Sequence, residues 1–339
     1  MLRNVPARRS RAALRREGRS DSRRTLLIAL VSNVVIAVAK LIAGLMTGST
    51  AMLAESAHSA ADSINEVLLG ISLHRARRPA DETHPFGHGR ERFLWAFVAA
   101  IASFLIGGCI SIAMAIRELR ESHVPKHMLV AWIVLAISFA ADGISWLQSM
   151  RQARSEARER GRSVWRHLRY SSEPLLRAVV VEDSAALIGL ILAAAGLLLG
   201  QMAGNNRPDG VASLLIGILL ALTAFGLARP LADFLIGRSL PSDQMAQVHA
   251  ILTAAPAIEE VVSLQAVYIG PEEGIIGAKV HPAANLTIEE LAQAMDELDV
   301  AIRKAFPLVA DVFLDLTMYR KSSPEPADLK PTKVLDPPG

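Results

Sequence analysis

Ionisable side chains recur at helical spacing in an otherwise apolar stretch near the N-terminus. Glu55, His58, Asp62 and Glu66 follow one another at intervals of three, four and four residues, which places them on one face of an α-helix. An imidazole and a carboxylate at i and i+4 can reach one ion, so His58 and Asp62 supply two ligands of the kind that a tetrahedral divalent cation needs. The chemistry they indicate is the binding of a divalent metal ion.

Two adjacent carboxylates, Glu182 and Asp183, lie in a later apolar stretch. We expect Asp183 to face His58 and Asp62 and to complete a metal site with them, while Glu182 lies about 100° further around the helix. The alternative is that these polar groups only form hydrogen bonds between neighbouring helices. Ionisable groups are costly inside a membrane, so the set is treated as a functional site.

Other polar residues of the apolar stretches have simpler interpretations. For Asn33 and Asp142 we predict hydrogen bonds between helices, although Asp142 is also a candidate supplementary ligand. We expect Lys40 to extend its ammonium group to the membrane surface. Glu55 and Glu66 lie nearer the ends of their stretch and are expected to meet water.

A second candidate site lies in the polar segment between two apolar stretches. Asp81, His84 and His88 are a possible ligand set for a transition metal. The alternative is that the Pro-Phe-Gly-His-Gly run at 85–89 builds a turn and the histidines cap helix ends. Both interpretations stay open from the residues alone.

A third candidate set lies near the C-terminus, where His249, His281 and Asp315 could converge on a metal. Isolated surface histidines are common, and the sequence favours that simpler interpretation.

These residues must be positioned by membrane helices. Of the 339 residues, 51% are hydrophobic and 20% are charged, and the mean hydropathy is +0.32. A bilayer-spanning helix needs about 20 apolar residues. Six stretches qualify or nearly do: 25–47, 51–73, 93–116, 127–149, 178–201 and 210–228.

The arginine distribution predicts the orientation. The N-terminal segment and the segments 74–92 and 150–177 hold nine, five and eight arginines, whereas the opposite side holds four basic residues. Because basic residues stay on the cytoplasmic side, both termini are predicted to be cytoplasmic. The arginines of 151–169 also suit anionic lipid headgroups, and no nucleic-acid partner is expected.

A second, more charged region follows the last apolar stretch. Its pattern predicts a helix over 242–254, strands over 257–269 and 274–281, a helix that starts at the capping box of Thr287, and a strand over 311–319. This order, α-β-β-α-β, predicts a small α+β domain. The predicted boundaries are an Arg-rich segment 1–24, a membrane domain 25–238, a cytoplasmic domain 239–320 and a disordered tail 321–339.

Two classes of site are excluded or disfavoured. Cys109 is the single cysteine, so the chain has neither an intrachain disulfide nor a zinc site built on paired cysteines. There is no His-Glu-x-x-His motif and no comparable set of catalytic groups in any apolar stretch. An enzyme such as a membrane metal hydrolase is therefore not expected, and neither is a cofactor other than a transported metal ion.

Three segments resemble the cation diffusion facilitator family, and the resemblance covers roughly residues 25–320. They are 48–62 (GSTAMLAESAHSAAD), 85–92 (PFGHGRER) and 182–186 (EDSAA). The resemblance implies a divalent-metal/proton antiporter with six spans, a cytoplasmic ferredoxin-like domain and a homodimeric assembly.

The resemblance also implies ligand sets. The family places two ligands in the second span and two in the fifth, each pair at i and i+4. His58 and Asp62 match the first pair and Asp183 matches half of the second, but the other half falls on Val179, which cannot bind metal. Glu182, Asp142 or a water molecule would complete the shell.

The family's loop site is matched in full by Asp81, His84 and His88. Its C-terminal dinuclear site is matched only by His249 and His281, because Asp315 stands where a histidine is usual. A complete C-terminal site is therefore not expected.

The sequence thus predicts export of a divalent transition metal, with zinc first, in exchange for protons. Metal binding requires neutral imidazole and ionised carboxylate, so metal and protons compete for the same atoms. The alternative is a membrane metal sensor or scaffold that binds without transport. The predicted location is a bacterial inner membrane, with an organelle membrane as the alternative.

Overall fold

The computed structural model describes residues 30–120, 127–159, 161, 163–164, 174–271 and 273–318. The predicted Arg-rich segment and C-terminal tail lie outside these residues. The chain divides into two compact units, Met1–Ile236 and Gly237–Gly339, which are described separately.

The first unit is helical and has the composition of a multi-pass membrane protein. Its longer described helices are α1 (Leu30–Thr47), α2 (Thr50–Arg75), α3 (Glu91–Arg120), α4 (Met128–Glu159), α5 (Pro174–Ala203) and α6 (Arg207–Ile236). Among the described residues, five of these helices are long and apolar enough to cross a membrane, and α2, which carries Glu55, Asp62 and Glu66, is not one of the five.

Small residues let α6 approach its neighbours closely. A Cβ atom added to Gly217 of α6 would lie 2.7 Å from Ile112 Cγ1 of α3, and one added to Gly108 of α3 would lie 3.1 Å from Ala221 Cβ. Such contacts replace the hydrophobic driving force that is missing between helices in lipid. They bring α3 and α6 together beside α2.

The turn between α1 and α2 is fixed to the start of α6 by one carboxylate. Asp209 Oδ1 accepts a hydrogen bond from Ser49 Oγ at 2.8 Å, and Asp209 Oδ2 accepts from Thr50 Oγ1 at 3.1 Å and from the Ala51 amide at 3.2 Å. Ser49 also caps α2 by accepting from the Met52 amide. Asp209 is buried, and these donors satisfy it.

A proline within α6 is accommodated by an arginine of α5. Pro230 has no amide hydrogen, so the carbonyl of Gly226 loses its helical partner. Arg177 Nη2 donates to that carbonyl at 3.4 Å. The contact explains how α6 continues to Ile236.

The second unit confirms the predicted α-β-β-α-β order. Its described elements are α7 (Ser242–Thr253), β1 (Ile258–Gly270), β2 (Glu273–Pro282), α8 (Ile288–Ala305) and β3 (Val309–Leu316). Strand β1 pairs with β2 antiparallel, and β2 pairs with β3 parallel, so the sheet order is β1-β2-β3. The capping box of Thr287 and Glu290 is present at the start of α8.

Candidate functional site

His58 and Asp62 lie together on the buried face of α2. His58 Nδ1 is 3.6 Å from Asp62 Oδ1, and the His58 residue is only 4% exposed. His58 Nε2 and Asp62 Oδ1 are buried without a hydrogen-bond partner. Unpaired buried polar atoms are costly and call for an explanation, and a bound ion is one that satisfies both atoms.

A cavity within the membrane unit collects these side chains with an acid from α5. His58 and Asp62 of α2, Ser103 of α3 and Glu182 of α5 supply its polar wall. Its apolar wall comes from α6: Leu220, Thr223, Ala224 and Leu227 contribute, with Thr223 adding one hydroxyl. The cavity therefore offers an imidazole and two carboxylates in apolar surroundings, which is the chemistry of a divalent metal site.

Asp183 takes a different direction from its neighbour Glu182. Its Oδ2 accepts hydrogen bonds from Ser145 Oγ at 2.9 Å and Ser149 Oγ at 3.2 Å, both on α4, and it does not line the cavity. The structure thus brings Glu182, rather than the expected Asp183, to His58 and Asp62. Within the described residues these four do not form a group of three whose ligand atoms all lie within 4.8 Å.

Asn65 was not identified from the sequence, although it belongs to the same helical face. Its Nδ2 donates to Glu182 Oε1 at 2.9 Å and to Ser103 Oγ at 2.8 Å, so it links α2, α3 and α5 at the cavity. Its spacing of three from Asp62 and seven from His58 was a usable signal.

A π-helical segment in α3 follows Ser103 directly. Residues Phe104–Cys109 carry it, and Ile110 donates its amide to the Leu105 carbonyl. A Cβ atom added to Gly107 would lie 4.0 Å from His58 Cα, so the segment lies against α2. Short π-helical segments inside α-helices are frequent at functional sites.

The expectations for Lys40 and Glu55 were wrong. Both residues are fully buried, and Lys40 Nζ lies 3.0 Å from Glu55 Oε2, so neither group reaches water. A window of local sequence does not reveal that α1 and α2 bring the two charges together. The predicted helix-to-helix role of Asn33 is confirmed by its hydrogen bond to Glu66 Oε1 at 3.0 Å, and Asp142 lies 3.8 Å from Lys40 Nζ.

Asp81, His84 and His88 come together in the loop between α2 and α3. Their ligand atoms all lie within 4.8 Å of one another, and His88 Nε2 is 2.9 Å from Asp81 Oδ2. The hydrogen bond from His88, with those from Thr83 and the His84 amide, holds the pKa of the Asp81 carboxyl well below its usual range. Gly87, at φ +79°, forms the turn that was the alternative interpretation, so the turn and the cluster coexist.

The C-terminal residues do not converge. His281 Nδ1 is 2.8 Å from the Thr317 carbonyl, and Asp315 lies 3.8 Å from Lys279 Nζ. In the part of the chain that the structure describes, His249, His281 and Asp315 form no three-ligand group. A complete C-terminal site was not expected from the sequence, and His281 and Asp315 have other partners in the structure.

The helical architecture is that of a multi-pass membrane protein with candidate metal ligands buried among its helices. The family model of the cation efflux transmembrane domain matches residues 26–236, and the chain belongs to this cation diffusion facilitator family.

The chain is similar in sequence to relatives from a plant, a vertebrate and a bacterium. It is 31% identical to metal tolerance protein C4 of Arabidopsis thaliana over 74% of this chain and 55% of that protein. It is 29% identical to the mitochondrial proton-coupled zinc antiporter SLC30A9 of Xenopus laevis over 73% of this chain and 44% of that protein. It is 23% identical to the manganese efflux system protein MneP of Bacillus subtilis over 88% of this chain and 96% of that protein. The chain thus spans about half the length of the first two relatives and nearly all of MneP.

Proposed function

We propose that the protein exports a divalent transition-metal ion, with zinc as the first candidate, in exchange for protons. The observation that carries the proposal is the cavity in which His58, Asp62 and Glu182 meet while His58 Nε2 and Asp62 Oδ1 lack hydrogen-bond partners. Two of the relatives are a zinc antiporter and a manganese efflux protein, which supports a divalent cargo.

The ligand set follows from which atoms are free. His58 Nδ1 faces Asp62, so Nε2 is the nitrogen that a metal ion takes. Asp62 and Glu182 supply carboxylate oxygens, and Asn65 orients Glu182 through its Oε1. Asp183 joins the set when it leaves its two serine partners, which makes it a ligand of a second conformation.

Zinc ranks above manganese because one imidazole with two or three carboxylates suits a four-coordinate ion. Manganese prefers more oxygen ligands and a larger coordination number. The loop cluster of Asp81, His84 and His88 is proposed as a separate metal site that is not part of the pathway.

Proton coupling follows from the ligands themselves. A metal ion binds only to neutral imidazole and ionised carboxylate, so protons that enter from the other side displace it. Rocking of the helices exposes the cavity first to one side of the membrane and then to the other. The proposal includes six spans, with α2 as the polar one, cytoplasmic termini, a ferredoxin-like C-terminal domain, a homodimer and an inner membrane.

The test is metal flux into proteoliposomes that contain a pH-sensitive dye. We expect zinc to drive a pH change that is lost in Asp62→Asn and Glu182→Gln. Asp233→Asn, which removes an exposed carboxylate of α6 outside the cavity, should leave it intact. Zinc binding without flux in the parent protein would identify a sensor or scaffold instead, and a larger signal with manganese would reverse the order of the metals.

A further inference from the structure

A buried ammonium group lies one helical turn from the proposed metal ligands. Lys40 of α1 is 0% exposed. Its Nζ is 3.0 Å from Glu55 Oε2, 3.0 Å from Ser59 Oγ and 3.8 Å from Asp142 Oδ2. These oxygens come from α2 and α4, so the ammonium group lies where three helices meet.

The surroundings of Nζ have the composition of a cation site. Two carboxylates and a hydroxyl are the oxygen ligands that hard cations such as Mn²⁺ or Ca²⁺ take in proteins. Glu55 Oε1 is buried and has no hydrogen-bond partner, so the carboxylate has further capacity to bind. Helix α5 packs directly against the Glu55 carboxylate, because a Cβ atom added to Gly189 would overlap Glu55 Oε1.

A purely stabilising ion pair does not explain this arrangement. Burying charges costs about as much as their attraction returns, so a buried pair is weak evidence for stability. Lys40 Nζ also lies 3.8 Å from a second carboxylate, that of Asp142, so two acids share one ammonium group. The placement therefore calls for a role that an apolar pair could not fill.

We propose that Lys40 is a tethered cation that occupies a second ion position and limits the membrane unit to one transported divalent ion. Glu55 precedes His58 by three residues and Ser59 follows it directly, so an ion at this position would lie about one turn, roughly 5 Å, from the ion on His58. An ammonium group fixed to α1 satisfies the same oxygens but cannot be carried across. Lys40 is thus a specificity-determining residue that sets how many ions bind, and it is not itself a ligand.

The test measures how many Mn²⁺ ions bind to each chain. The full chain is purified with the loop ligands removed by Asp81→Asn, His84→Ala and His88→Ala, and bound Mn²⁺ is measured by equilibrium dialysis and elemental analysis. Lys40→Ala should bind one more Mn²⁺ per chain than its parent, whereas Lys40→Arg, which keeps the charge, should bind the same number. Adding Glu55→Gln to Lys40→Ala should remove the extra ion. Equal numbers in Lys40→Ala and the parent would overturn the proposal.

Chemical rescue separates this role from a structural one. The n-propylammonium ion replaces the atoms that Lys40→Ala removes, so it should displace the extra Mn²⁺ from the variant and return the number of bound ions to that of the parent. A lysine that only holds helices together would give neither the extra ion nor its displacement. Failure of n-propylammonium to compete with Mn²⁺ contradicts the proposal.

A second variant covers the case in which Lys40→Ala does not fold. Lys40→Gln keeps the length of the side chain and removes its charge, so Mn²⁺ should bind the cavity at least about tenfold more tightly because a like charge is gone. Unchanged affinity would overturn the proposal.

The inference rests on the proposed function only in assigning one ion to His58 and Asp62. That assignment is tested by itself: His58→Ala with Asp62→Ala, in the presence of Lys40, should lose the parent's ion. If it does not, the function fails, while the difference between Lys40→Ala and its parent still decides the role of Lys40.

Discussion

The cavity in the membrane unit and the cluster in the loop offer the same ligand types in opposite surroundings. In the loop, His88 is paired with Asp81 and Glu91, and Asp81 is half exposed. In the cavity, His58 Nε2 and Asp62 Oδ1 are buried and have no hydrogen-bond partner. A metal ion bound in the loop would have to replace existing hydrogen bonds, whereas one bound in the cavity would supply a partner to atoms that have none. We therefore predict a larger effect on metal flux from changes in the cavity than from changes in the loop.

The largest expected effect comes from removing a cavity ligand. Asp62→Ala should lower zinc flux at least about 100-fold, because loss of a direct ligand exceeds the 10–100-fold cost of losing a supporting group. Flux into proteoliposomes measures it, with circular dichroism and gel filtration as controls for folding. His88→Ala in the loop should lower zinc flux far less, and an equal loss would contradict the assignment of the pathway to the cavity.

Histidine substitutions in α5 test which of its two acids, Glu182 or Asp183, faces the metal ion. Because Glu182 lines the cavity and Val179 does not, Glu182→His should tighten zinc binding more than Val179→His, by about tenfold from the added nitrogen ligand. Calorimetric titration in the background without loop ligands measures both. A tighter site in Val179→His alone would show that α5 presents the Asp183 face to the metal.

A smaller loss is expected from crowding the buried Glu55 carboxylate, which lies outside the cavity lining. Gly189→Ala places a methyl group against the buried Glu55 carboxylate, and overpacking of this kind costs about 1–3 kcal/mol. Flux and thermal stability should fall together. Gly226→Ala is the matched control on α6, since an added Cβ atom there meets nothing within 4 Å, and it should leave both unchanged.

The smallest effect concerns pH at the loop. The pKa of Asp81 is held below its ordinary range, so its carboxylate stays ionised as the pH falls through its usual pKa of about 4. Protonation of Asp81 should therefore take no part in any loss of loop affinity at or above about pH 4. Asp81→Asn should weaken metal binding throughout this range, because a carboxylate ligand is lost. Calorimetric titration of both proteins measures this effect, and a loss of affinity centred near pH 4 in the parent alone would show that Asp81 titrates in its usual range.

Helical spacing predicted which residues share a face, but not which face meets a neighbour. His58 and Asp62 were identified correctly as neighbours because i and i+4 fix their relation within one helix. The choice between Glu182 and Asp183 depends on the rotation of α5 about its axis. That rotation is set by packing between helices, including the approach of Gly189 to Glu55, and local sequence does not contain it.

Long-range pairing explains the other differences. Lys40 and Glu55 are 15 residues apart across a turn, and only the antiparallel packing of α1 and α2 shows that neither charge reaches the surface. The second unit was easier to predict because capping residues, strand alternation and turns are local signals, as Thr287 and Glu290 illustrate.

The carboxylate of Asp209 joins the start of α2 to the start of α6, so we expect the two helix ends to move together. Three donors from successive residues, Ser49, Thr50 and Ala51, hold it, so any swing that opens the cavity must carry both helix ends together or break all three bonds at once. The pair therefore serves as a fixed reference for spectroscopy. Spin labels near these ends should report one distance in every transport state, against which the travel of the other helices can be measured.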